Sequence, residues 1–147
     1  MKSLMLFMSL ISALFCFDVH CAIASAQQNT NIDCMMNTGP CIKSVDELTV
    51  AIDITPKPLK AMRSSIFRAT ISRNGGPVDD ASVTFNLSMP GMFMGQNSIK
   101  LTHLNEGIYE GNGVIIRCPS GRRIWQASVA INRDGKKSIV NYIFEVP

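Results

Sequence analysis

The sequence predicts an all-β protein, an antiparallel Ig-like β-sandwich of about seven strands. Three observations lead there. From Leu48 onward, apolar residues recur with period two. Turn signals fall roughly every eight to twelve residues, as in sandwich domains. No stretch keeps the apolar period of a packed helix over several turns. A parallel α/β fold would need helical crossovers, and none is present.

Each element follows from its residues. Leu48, Val50, Ile52 and Ile54 alternate with Thr49, Ala51 and Asp53 as a half-buried strand does, and Pro56 and Pro58 end the run because proline cannot donate to a ladder. Only Leu59 to Ser65 is suited to a single helical turn. Phe67, Ala69 and Ile71 form the next inward row, closed by the turn Asn74-Gly75-Gly76-Pro77. Val83, Phe85 and Leu87 follow, with Met89 in phase. Ile99, Leu101 and His103 share a face of the fourth strand. Ile108 to Ile116 is the fifth, where Gly111 and Gly113 suggest a bulge or close backbone approach. Trp125, Ala127, Val129 and Ile131 make an inward row with Trp125 as a core anchor. After the loop Arg133-Asp134-Gly135-Lys136, Val140, Tyr142, Phe144 and Val146 close the chain.

The N-terminus reads as an export signal. Lys2 precedes the apolar run Leu4 to Phe17, and Ala24-Ser25-Ala26 is a small-x-small cleavage pattern. The run is short of the about 20 apolar residues of a membrane span, so membrane attachment is expected only if the signal is retained as an anchor. The organisation is therefore 1–26 signal peptide, 27–47 irregular Cys-containing arm and 48–147 sandwich. The expected location is the periplasm or another exported compartment.

Composition narrows the function. A formal net charge of +3, with no Lys/Arg run interleaved with aromatics, gives no support to nucleic-acid binding. His103 is the one histidine left after cleavage, the carboxylates are scattered, and no Gly-rich loop runs from a strand into a helix. The expectation is a protein that is not an enzyme and has no evident small-molecule substrate.

Cys34, Cys41 and Cys118 remain for an oxidising compartment, enough for one intramolecular disulfide. A Cys34–Cys41 bridge closes a loop worth about 2.5 kcal/mol of chain entropy. A bridge to Cys118 closes about eighty residues, nearer about 4.5 kcal/mol, and would staple the arm to the domain. The spacing leaves the pairing open, with a bridge to the arm the expected fate of Cys118. A free Cys118 would be a redox candidate, because Arg117, Arg122 and Arg123 could lower its thiol pKa.

The loop Ser88 to Asn97, SMPGMFMGQN, is the candidate for chemistry. Thioethers are soft, neutral ligands suited to Cu(I). Met92 and Met94 are two apart and point one way in an extended segment, Met89 can fold back across Pro90-Gly91, and His103 is the candidate fourth ligand. The competing reading is packing: methionine is also a pliable core filler, and Met89 continues the Val83-Phe85-Leu87 row. With no metal, Phe93 and the loop form an apolar surface for a partner, and Arg117, Arg122 and Arg123 form either a solvated turn or a patch for an acidic one.

The order of motifs sharpens this. Gly76-Pro77-Val78-Asp79-Asp80-Ala81-Ser82-Val83, then Met89-Pro90-Gly91-Met92-Phe93-Met94-Gly95, then Gly107-Ile108-Tyr109-Glu110-Gly111-Asn112-Gly113, then Trp125-Gln126-Ala127-Ser128-Val129 resemble the YtkA-like domain family, related in layout to FixH proteins. The resemblance covers roughly Leu48 to Val146. It implies a small exported or membrane-tethered sandwich associated with copper handling and respiratory oxidase assembly; the metal-free alternative is an interaction module of the cell envelope, with a cell-envelope protein as its partner. Met89, Met92 and Met94 carry over as soft ligands. Many relatives place a histidine inside this loop, where the present chain has Phe93 and Gln96.

Overall fold

The computed structural model describes residues 31–92 and 94–147. The export signal and the side chain of Phe93 lie outside the described residues. Among those described there is no helix, and the strands are β1 Cys41–Val45, β2 Leu48–Thr55, β3 Ser64–Arg73, β4 Gly76–Pro77, β5 Ser82–Ser88, β6 Ser98–His103, β7 Ile108–Val114, β8 Ile124–Arg133 and β9 Lys136–Glu145. Their order is β1-β2-β3-β7-β6-β5-β8-β9, with β4 beside β3. Every pairing is antiparallel.

The sheet curls into two facing layers, and β6 makes the corner. Its first part pairs with β5, from Ser98 opposite Asn86 to Leu101 opposite Val83. Its last two residues, Thr102 and His103, pair with Glu110 and Tyr109 of β7. At the other side Lys43 of β1 donates to the Asn141 carbonyl of β9 at 2.7 Å, so the sheet nearly closes on itself.

The alternation seen in the sequence is what fills the space between the layers. Val50, Ile52 and Ile54 of β2 face inward with Phe67, Ala69 and Ile71 of β3, opposite the rows from β5, β8 and β9. Phe67 and Phe85 meet edge to face with centroids 5.2 Å apart. Trp125 is buried as expected. Two hairpins have the chemistry their turns demand: Asn74-Gly75 and Asp134-Gly135 both place two successive residues at positive φ, as a tight two-residue turn matching strand twist requires.

Three expectations need correction. The arm is not irregular throughout, since Cys41–Val45 is a strand turned back on β2 by Asp46-Glu47, with Asp46 at φ 52°. Leu59 to Ser65 forms no helical turn; Met62 takes φ 63° and donates to the Ile115 carbonyl at 2.8 Å, and β3 starts at Ser64. That contact lies just past the end of β7, which stops at Val114 rather than Ile116.

The arm before β1 docks on β9. The amides of Asp33 and Cys34 both donate to the Ile143 carbonyl at 3.0 Å, and the Ile143 amide donates to Asp33 Oδ1 at 2.9 Å. These bonds occupy backbone groups that an edge strand would otherwise leave open to another chain.

Candidate functional site

Strand β5 delivers the methionine loop. Met89 continues its inward row and is 3% exposed, so this thioether is a core side chain. Pro90-Gly91 then reverses the chain, with Gly91 at φ 75°. The Met92 amide donates to the Met89 carbonyl at 3.1 Å, and the two residues pair as an isolated antiparallel bridge. Met92 and Met94 come out half-buried, packed against the rim of the core. The foot of the loop is closed by the Leu87 amide donating to the Asn97 carbonyl at 2.9 Å.

A second segment meets this loop. After β7 the chain turns through Cys118-Pro119-Ser120-Gly121, where the Gly121 amide donates to the Cys118 carbonyl at 3.1 Å and Gly121 takes φ 71°. Arg122 Nη1 donates to the Pro90 carbonyl of the loop at 3.3 Å. Cys118 is 5% exposed, with its Sγ 3.8 Å from Met92 Sδ and 3.0 Å from Ser120 Oγ. The Ser120 hydroxyl is the main influence holding this thiol below its ordinary pKa. The Ser120 and Arg122 amides and the Arg122 charge add to it, and burial opposes them.

Access comes from two sides. Cys118 lines a cleft of about 630 Å³ with Lys60, Arg117, Arg122, Arg123 and Trp125. Met92 lines another, of about 830 Å³, with Asp33, Lys43, Met89 and Asn141. The three arginines differ in role. Arg122 braces the loop, Arg123 pairs with Glu145 at 2.7 Å, and Arg117 is exposed.

His103 does not join the sulfurs. Its Nε2 lies 2.8 Å from Asp79 Oδ1, and its ring sits beside Tyr109. Asp79 precedes β5, whereas the methionine loop follows it, so the two groups are separated by roughly the length of that strand, about 20 Å. His103 is also exposed, although in phase with the buried Ile99 and Leu101, because β6 has by then left the β5 layer to pair with β7. The same separation keeps His103 from forming a dyad with Cys118.

The disulfide joins Cys34 to Cys41, and Cys118 is a free, buried thiol. The expected staple to Cys118 is thus replaced by the short bridge. The Thr38 and Gly39 amides both donate to Met35 O, folding the arm so that the two Cα atoms stand 5.6 Å apart, within bridging range.

The donor set is soft. Among the described residues no three His, Cys, Asp or Glu side chains cluster as a metal site would need. What meets here is sulfur: the Met92 thioether beside the buried Cys118 thiol, with Met89 bridged to Met92, while Met94 packs separately against the core. Such a set suits a monovalent soft ion and fails for hard, oxygen-seeking cations. The sequence singled out the methionine loop and the Cys118 turn separately. Their meeting is a tertiary contact between segments 26 residues apart, which no local pattern signals.

A comparison with family models matches residues 42–117, just over half of the chain, to the family described as YtkA-like. No curated protein and no solved structure matches significantly.

Proposed function

This chain belongs to the YtkA-like family, and on that premise we propose that it is an exported, non-catalytic accessory domain of the cell envelope that holds copper(I) on its methionine loop. Met92 and Met94 are assigned as the ligands, and Met89, bridged to Met92, stays in the core. The domain would serve metal homeostasis or the assembly of a respiratory oxidase. The observation that carries this reading is the fold-back of Met92 onto Met89, which sets a thioether at the edge of the core rather than inside it. The donor chemistry fits Cu(I), because thioethers bind it without needing to lose a proton.

A second reading has its own support. The loop flanks an open cleft bearing Asp33 and Lys43, so the half-buried methionines could instead form a pliable apolar surface for a cell-envelope protein. Metal selectivity separates the two. Under ascorbate, which spares the disulfide, the copper reading expects one equivalent of Cu(I) retained against excess Zn(II) and Ca²⁺. Copper that is not retained would leave the partner reading in place.

A further inference from the structure

We propose that Cys118 is a ligand of the same site, so that the ion is held by a thiolate–thioether pair, Cys118 Sγ and Met92 Sδ. This rests on the copper(I) reading above and adds to it a residue outside the methionine loop.

The geometry comes first. The two sulfurs are 3.8 Å apart. With metal–sulfur bonds of about 2.3 Å, that separation subtends roughly 110° at a shared ion, between the tetrahedral and trigonal angles. Cys118 therefore needs no large rearrangement to share an ion with Met92. The turn is held by Gly121 bonding back to Cys118 and by Arg122 bonding to Pro90, which fixes the segment carrying the thiol against the loop carrying the thioether.

Cys118 is almost fully buried and Met92 half-buried, so an ion between them is partly withdrawn from water, where unit charge is costly unless it is paired. Thioethers are neutral and leave that charge uncompensated. One thiolate cancels it. Forming the Cu–S bond breaks the Cys118 S–H bond, and the proton leaves through the cleft to solvent; no electron is transferred. Arg117, Arg122 and Lys60 on that cleft repel a free cation, so they favour delivery of copper as an anionic complex.

The test uses the chain from Gln27 onward, without the export signal and its Cys16 and Cys21, with the Cys34–Cys41 disulfide intact, loaded with one equivalent of Cu(I), and peptide-resolved alkylation of Cys118. Copper should protect Cys118 from alkylation and produce a thiolate-to-copper absorption band in the near ultraviolet. Cys118→Ser should abolish the band and weaken Cu(I) binding at least tenfold, and Cys118→Ala, which keeps the site apolar, should do the same. Unchanged alkylation of Cys118 on loading, or Cu(I) affinity within twofold of the parent in both variants, overturns the proposal. If those variants bind normally while Met92→Leu weakens binding, the methionine site stands without Cys118. No binding by the parent chain removes both.

Discussion

The Tyr142 hydroxyl of β9 crosses the core to donate to the Val50 carbonyl of β2 at 2.7 Å. Burial pushes the phenol's pKa up, so it remains a donor throughout the accessible pH range. The bond ties together layers that no ladder joins at that point. Tyr142→Phe keeps the ring and removes one buried hydrogen bond between the layers, at an expected cost of about 0.5–1.5 kcal/mol. Urea unfolding should show a lower midpoint with an unchanged slope.

Gly107 and Gly113 should respond differently to alanine. A Cβ on Gly107 would stand 2.3 Å from the Ile71 carbonyl oxygen, and the residue has φ 74°. Backbone cannot yield easily, so Gly107→Ala is expected to cost about 3 kcal/mol or more. At Gly113 the Cβ would meet Ile99 Cδ1 at 2.4 Å and Phe67 Cε2 at 3.0 Å. The end of Ile99 can rotate aside, which lowers the expected cost to about 1–3 kcal/mol. Thermal unfolding of both variants checks the order, which would be reversed only if the β7 approach were the less yielding of the two.

Asp79 makes the fold sensitive to acid. Its carboxylate accepts from the Gly107 amide at 2.6 Å and contacts His103 at 2.8 Å. Gly107 first, then His103, hold its pKa below the ordinary value. Because the folded-state pKa is the lower one, the stabilisation is complete above the unfolded carboxylate value of about 3.9 and is lost as pH falls through the folded value. Asp79→Asn should therefore be less stable than the parent at neutral pH, with the gap closing below about pH 4. Asp46, held down by Ser138 and Lys136, and Asp80, held down by Arg133, shift in the same direction and keep the variant partly acid-sensitive.

The short disulfide should matter modestly. Replacing Cys34 and Cys41 together by serine releases a small loop and is expected to cost about 2–3 kcal/mol. The arm keeps its bonds to Ile143 and the Asn37 bond to the Glu145 carbonyl, so unfolding should remain a single transition at a lower Tm.

Much of this scaffold could be read from periodicity. The rows Val50-Ile52-Ile54 and Trp125-Ala127-Val129-Ile131 are inward because one face of each strand must be covered, and the Asn-Gly and Asp-Gly turns carry their own backbone signature. Strand β1 was hidden because Cys41-Ile42-Lys43-Ser44-Val45 points its larger aliphatic, Ile42, to solvent, so the alternation misleads there. His103 kept phase with Ile99 and Leu101 yet lies exposed, since phase says nothing about where a strand leaves its layer. The site was half legible. Clustered thioethers announce themselves in a loop of ten residues, whereas the Cys118–Met92 contact exists only once β7, its following turn and β5 have packed.

The most direct measurement of the central claim is a competition titration of Cu(I) between the protein and a copper(I) chelator, comparing the parent chain with Met92→Leu/Met94→Leu. Leucine preserves the apolar volume at both positions, so folding should persist. The copper account expects the parent to withdraw one equivalent from the competitor and the double variant to bind at least tenfold more weakly. Equal affinity in the two proteins would contradict it.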